Sequence, residues 1–223
     1  MSDRDLPDDS AQTVELEPAG AELVLGGGGG AIRSFSRDLA ARGEKLGLIG
    51  PSELPRLWTR HILNSALLAP LLRANGTLAD VGSGAGFPGL VLAAIRPDVA
   101  VTLIEPMERR VEWLVEQARR LELDNVTVVR ARAEDVRPRR AFDQVTARAV
   151  SALRTLIPLT AALARPGGEL LLLKGARVDE ELRAAQNQVR TARLHEVRVE
   201  MLGAAGGPGP APEATRVFRA TVA

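Results

Sequence analysis

The sequence predicts an α/β protein with a mostly parallel seven-stranded sheet, helices on both faces and an antiparallel C-terminal hairpin. Three observations carry this. From Thr77 onward, short apolar runs alternate with longer amphipathic ones without interruption, the pattern of a parallel sheet covered on both faces. Three glycines at alternate positions, Gly82, Gly84 and Gly86, stand between the first apolar run and a helix-like segment. The last two strand-like segments, 194–202 and 215–222, are joined by a Gly/Pro-rich loop with no helix between them, which predicts an antiparallel pair.

Taken in order, residues 1–30 read as a disordered acidic and glycine-rich N-terminus, with Pro7 and Pro18 interrupting a polar stretch. The run Gly26 to Gly30 reads as a loop or linker, since glycine is too flexible for an element interior. Residues 31–75 read as a helical segment. Within it, 31–46 forms a polar helix with Phe35 and Leu39 on a thin apolar face. Ser52 is placed to cap a second helix after Pro51. That helix puts Leu54, Trp58, Ile62, Ser65 and Ala69 on one stripe and ends or kinks near Pro70.

Residues 76–223 make the main domain. Strands are predicted at 77–82, 100–105, 126–130, 142–147 and 169–174, and helices at 87–96, 107–122, 152–164 and 178–190. In the 107–122 helix, Val111, Leu114, Val115, Ala118 and Leu121 form an amphipathic stripe. Glu116 and Arg120 make an i,i+4 pair on its other face.

Composition narrows the function classes. A length of 223 residues allows one sizeable domain with a short appendage. The absence of cysteine excludes a disulfide framework and a thiolate metal site, and no metal is expected. There is no run of 18 apolar residues and the N-terminus is acidic rather than signal-like, so a cytoplasmic protein is expected. The net charge of +1 hides an asymmetry, because the first 22 residues hold seven carboxylates against Arg4 alone. The remaining basic body is compatible with a polyanion partner. With no tyrosine and 3% aromatics, base stacking on an aromatic platform is not the expected mode of contact.

The glycine turn is the richest motif. Leu78 to Val81 runs into Gly82-x-Gly84-x-Gly86, then Phe87-Pro88-Gly89, and Val101 to Ile104 ends in Glu105. Glycines let backbone N–H groups approach a ligand, and a carboxylate ending the next strand can accept both hydroxyls of a ribose. The spacing is one residue shorter than the dinucleotide fingerprint, and Asp80 stands just before the turn. Both features suit S-adenosylmethionine (SAM), whose methionyl amine can meet a carboxylate. A nicotinamide or flavin, and a merely structural turn, are the other readings of this spacing.

Arg60-His61-Ile62-Leu63-Asn64-Ser65, the segment from Asp80 to Gly89, Arg148-Ala149 and Leu173-Lys174-Gly175 follow one another in order. Together they resemble the RsmG (GidB) family, bacterial methyltransferases that modify guanine N7 in small-subunit (16S) ribosomal RNA. The resemblance covers roughly residues 47 to 223. It implies a Rossmann-like SAM-dependent methyltransferase fold, SAM as cofactor, and ribosomal RNA or the small ribosomal subunit as partner. It also implies SAM contacts at Gly82, Gly84, Gly86 and Phe87, a ribose hook at Glu105, and an adenine cradle at Ala133 and Glu134. Arg148 corresponds to an arginine at the mouth shared by cofactor and substrate. His61, Lys174 and Arg216 are substrate-side candidates. Relatives carry an asparagine near the position of Gly47, which is missing here.

Guanine N7 offers an exposed lone pair, so methyl transfer needs no prior deprotonation, and no histidine–carboxylate pair stands out in the sequence. Arg148, at a strand end, is expected to position cofactor or base; an ordinary surface ion pair is its bland alternative. His61 beside Trp58 is read equally as a packed structural histidine, and Lys174 equally as a substrate contact or a solvated charge. Arg109, Arg110, Arg119 and Arg120 read as a solvated helix face; Arg130, Arg132, Arg137, Arg139 and Arg140 as loop arginines able to track phosphates. A SAM-dependent methyltransferase of small molecules or proteins is the alternative activity, and a non-catalytic SAM-binding module the third reading. A monomer is expected because no long exposed apolar face is evident.

Overall fold

The computed structural model of the protein describes residues 13–203 and 215–223. Its centre is a seven-stranded sheet of order β3-β2-β1-β4-β5-β7-β6. The strands are β1 (Thr77–Val81), β2 (Ala100–Ile104), β3 (Val126–Val129), β4 (Phe142–Arg148), β5 (Ala164–Lys174), β6 (Leu194–Leu202) and β7 (Thr215–Val222). The first five pair in parallel; β7 inserts antiparallel between β5 and β6. The expected terminal hairpin is therefore present, with its second strand on the inside. The loop between β6 and β7 falls largely on 204–214, outside the described residues.

Burial of Leu170 to Leu173 on both sheet faces explains why β5 is a continuous apolar run rather than an alternating one. Leu171 and Leu173 enter one core cluster with Leu78, Leu103 and Val217. Leu170 and Leu172 enter the other with Ala79, Val145 and Phe218. The first face is covered by α1 (Ala21–Leu25), α2 (Gly29–Arg42), α3 (Asn64–Ala66), α4 (Gly89–Ile95) and α5 (Glu108–Arg120). The second is covered by α6 (Leu153–Ala161), α7 (Val178–Ala184) and α8 (Gln186–Thr191).

Four local expectations are corrected. Of the segment expected to be disordered, residues 1–12 lie outside the described residues, but the glycine run is helical: Gly26–Gly28 forms a tight turn leading into α2. A Cβ on Gly28 would lie 2.5 Å from the carbonyl oxygen of Ala94. The close approach of this turn to the end of α4 thus requires glycine and outweighs its poor helix propensity. The helix after Pro51 is not capped by Ser52. It starts as a 3-10 turn at Pro51–Arg56 and widens into a π-type stretch at Leu57–Leu63, although Leu54, Trp58, Ile62, Ser65 and Ala69 are all buried as the stripe requires.

In α5 the buried face is rotated from the predicted one. Trp113, Leu114 and Gln117 point inward, whereas Val115 is 50% exposed. The indole Nε1 of Trp113 donates to Ala85 O at 2.9 Å, and Gln117 Nε2 donates to Asp38 at 3.1 Å. These two polar anchors set the rotation. Glu116 and Arg120 do not pair as the i,i+4 bridge expected; each reaches α2, to Arg42 and Asp38 respectively.

Candidate active site

At the C-terminal ends of β1 and β4 the connections leave to opposite faces of the sheet, the switch point where open α/β sheets bind ligands. Two cavities open there. One, of about 480 Å³, is lined by Gly82, Glu105, Met107, Ala133, Glu134 and Val150, among others. The second, of about 650 Å³, is lined by Glu53, His61, Arg148, Lys174, Thr215 and Arg216, among others. Ala149 lines both. Of the expected cofactor residues the structure brings Gly82, Glu105, Ala133 and Glu134 together in the first cavity; Gly84, Gly86 and Phe87 line neither, and Arg148, also expected at the cofactor, lies in the second with His61, Lys174 and Arg216.

The glycine turn is stitched to β2 by Gly82 N and Ser83 N, which both donate to Ile104 O, and held from behind by Trp113. Gly84 adopts φ +56°, and a Cβ built on it meets only Gly82 O, at 3.8 Å. The place of its missing side chain is open space. Glu105 is 2% exposed; its Oε2 accepts Gly84 N and its Oε1 accepts Met107 N, both at 3.0 Å. Asp80 is fully buried, with Oδ2 accepting Gly89 N at 3.0 Å and Oδ1 without a partner among the described residues. Burial pushes the Asp80 carboxyl up to about 7, against the opposing pull of Gly89 N–H, Ser83 and Arg148.

An open glycine cradle, a buried carboxylate with a vacant acceptor and an acidic strand end form a donor and acceptor set that fits SAM. Asp80 Oδ1 and the Glu105 carboxylate are acceptors of the kind an ammonium and ribose hydroxyls would need, and Ala133 and Glu134 line the cavity with Glu105. Phe87 lies behind the turn, not in the cofactor cavity. Its ring meets those of Phe35 at 5.4 Å and His61 at 5.3 Å, and the Arg148 guanidinium lies over it at 5.3 Å.

In the second cavity a carboxylate, an imidazole and a guanidinium stand in line. Glu53 Oε2 is 2.7 Å from His61 Nε2, and His61 Nδ1 meets Arg148 Nη2. Arg148 Nη1 also donates to His61 O at 3.2 Å. Burial and, next, the Arg148 charge lower His61 to about 4, so the ring is neutral, with Nε2–H donating to Glu53 and Nδ1 accepting from Arg148. Arg148 itself is lowered to about 10, first by burial and then by Arg60. The sequence reading missed the histidine–carboxylate pair because Glu53 precedes the Arg-His motif and carries no signature of its own.

Lys174 pairs with Glu181 at 2.7 Å and donates to Ser151 O at 2.8 Å, so it is not a solvated charge. Arg216 stands opposite Lys174 in the β5–β7 ladder and has no side-chain hydrogen bond or ion pair to the described residues. Of the loop arginines, Arg137 and Arg139 donate to the Glu134 carbonyl, Arg140 donates to Ala223 O and Arg130 pairs with Glu108. Among the described residues no cluster of three metal-ligating side chains occurs, and no helix is long and apolar enough to cross a membrane.

The sequence matches the family GidB, rRNA small subunit methyltransferase G, over residues 30–206. Ribosomal RNA small subunit methyltransferase G of Leifsonia xyli subsp. xyli is 56% identical over 210 residues, covering 94% of this chain and 98% of that relative. The protein of the same description in Clavibacter sepedonicus is 56% identical over 211 residues, covering 95% and 98%. Among solved structures, TYW2 of M. jannaschii in complex with AdoMet superposes with a TM-score of 0.55 at 18% identity, covering 72% of this chain and 74% of that one. That likeness concerns the fold, a Rossmann-like methyltransferase sheet. The glycine turn, the Arg-His motif and the near full-length identity lead to one conclusion: the chain belongs to the GidB family.

Proposed function

We propose that this protein transfers the methyl group of SAM to N7 of a guanine in small-subunit (16S) ribosomal RNA. The observation that carries the reading is the pair of cavities meeting at Ala149, one built for a nucleoside-like cofactor, the other lined by Arg148 and Arg216. When bound, SAM supplies an electrophilic sulfonium methyl. Asp80 would hold its amine, Glu105 its ribose, and the backbone of Gly82 and Gly84 its methionyl chain.

N7 attacks with its own lone pair, so the protein needs no general base. Both ring nitrogens of His61 are already engaged, which supports a role in orienting Arg148 rather than in removing a proton. Arg148 is suited to a bidentate hold on guanine O6, a phosphate or the methionyl carboxylate. Catalysis is then chiefly alignment of N7, methyl and sulfur, with charge moving from sulfur to base. Arg216, without an ion-pair partner among the described residues, is suited to an RNA phosphate. We take the protein to act as a cytoplasmic monomer on the small subunit or its RNA.

The test is transfer of labelled methyl from SAM to small ribosomal subunits lacking the modification, followed by chemical cleavage at N7-methylguanine. One labelled site in the ribosomal RNA is expected. SAM binding without transfer to any RNA would overturn the proposal in favour of the small-molecule enzyme or the non-catalytic module.

A further inference from the structure

We propose that Lys174 and Glu181 are positioning residues that fix the 149–152 segment as the partition between the two cavities, so that Lys174 acts on cofactor binding and not on RNA phosphates. The inference rests on the reading of the smaller cavity as the SAM site. Side chains alternate along a strand. Leu171 and Leu173 pack on the face that carries His61, while Leu170 and Leu172 face the α6–α7 side, to which the Lys174 ammonium turns although the residue also lines the larger cavity. There the ammonium is not free. It pairs with Glu181 Oε2 at 2.7 Å and donates to Ser151 O at 2.8 Å, and the same Oε2 accepts Leu153 N at 2.9 Å. One ion pair thereby pins the backbone at 151 and at 153.

The segment so pinned is a wall of both cavities. Ala149 lines each, and its φ of +55° is a left-handed conformation that a residue with a Cβ keeps only when its surroundings impose it. Val150 closes on the glycine turn: a Cβ added to Gly82 would lie 2.8 Å from a Val150 methyl. Arg148 precedes the segment directly. Releasing the Ser151 carbonyl and the Leu153 N–H would let Ala149 relax and Val150 leave Gly82, moving the cofactor wall first.

The test compares the wild type with Lys174→Met, Glu181→Leu and the double variant, all measured well below each protein's Tm. Calorimetry reads SAM affinity, and filter binding across a salt series reads RNA affinity. Each single variant is expected to weaken SAM binding about tenfold, the scale of one lost charge-assisted hydrogen bond. The double variant is expected to be no worse than the poorer single one, because the two residues act as a unit. The dependence of RNA affinity on salt is expected to stay unchanged. A Lys174→Met protein with wild-type SAM affinity and a salt slope shallower by about one phosphate contact would overturn the proposal. Should Lys174→Met fail to fold, wild-type SAM affinity in Glu181→Leu would overturn it equally. A wild type that binds no SAM would strike instead at the reading of the cavity.

Discussion

Replacing Asp80 by Asn offers a direct check on the electrostatics of the site, because two buried groups titrate in opposite senses there. Asp80 has its pKa raised from 3.8 to about 7 and His61 has its own lowered from 6.5 to about 4. Each tenfold change in proton affinity is worth about 1.4 kcal/mol. Between pH 3.8 and about 7 the folded chain holds a proton on Asp80 that the unfolded chain has lost. Stability from this group is therefore complete at low pH and falls by about 4 kcal/mol as pH rises through that window. For His61 the unfolded chain binds a proton between about pH 4 and 6.5 that the folded chain refuses. That contribution rises by about 3 kcal/mol over the window and is complete above it.

The two nearly offset in the wild type. Asn resembles the protonated Asp80 and can still accept Gly89 N–H, so Asp80→Asn should match the wild type near pH 4. It should become more stable than the wild type as pH rises, by about 4 kcal/mol above pH 7. Urea denaturation of both cofactor-free proteins from pH 4 to 8, reported as the difference between them, cancels every other titrating group. His61→Gln should give the opposite slope. A difference curve for Asp80→Asn that is flat across this range would refute the reasoning.

Three further outcomes follow from the same geometry. Arg148→Ala should cut methyl transfer by about a hundredfold or more while leaving the fold intact, since it removes the guanidinium suited to orient the reacting groups; wild-type turnover would exclude Arg148 from the site. Gly84→Val should abolish SAM binding in calorimetry. The new side chain would fill the open cradle and adopt a left-handed φ at a cost of about 1–2 kcal/mol; unchanged affinity would place the ligand elsewhere. At pH 6.5, binding of SAM should release most of one proton from Asp80 as the ligand's ammonium stabilises the carboxylate. Calorimetry in buffers of different ionisation enthalpy reads this directly, and no proton release would mean that Asp80 does not meet the amine.

Much of this was legible from residue order alone. The glycine turn, Glu105 and Arg148 fall at strand ends, and strand ends are where periodicity is easiest to read. The parallel core and the closing antiparallel pair follow from the presence or absence of a helix between apolar runs. What was hidden depends on rotation and on long-range polar contacts. Val115 is apolar and Gln117 is not, so a hydrophobic pattern turns α5 the wrong way; Trp113 and Gln117 override it through their hydrogen bonds. Glu53 and His61 are eight residues apart and would diverge by about 80° on a uniform α-helix. The helix is instead broken between them at Arg56, whose φ of −132° and ψ of 22° are not helical, and the two side chains meet at 2.7 Å. Helical glycine at 26–30 became intelligible only with Ala94 against Gly28.

The order of the last strands bears on how the chain must be made. Because β7 sits between β5 and β6, β6 has no neighbour in the sheet until a segment lying after it in sequence has threaded into place. Until then β5 presents Leu170 to Leu173 along a bare, apolar edge, the kind of template on which chains pair with one another. A chain ended by a premature stop before Thr215 would keep the glycine turn and Arg148 yet carry that open edge and an orphaned strand. Its failure would be self-association of an incompletely closed sheet, and the loss of activity would come as a by-product.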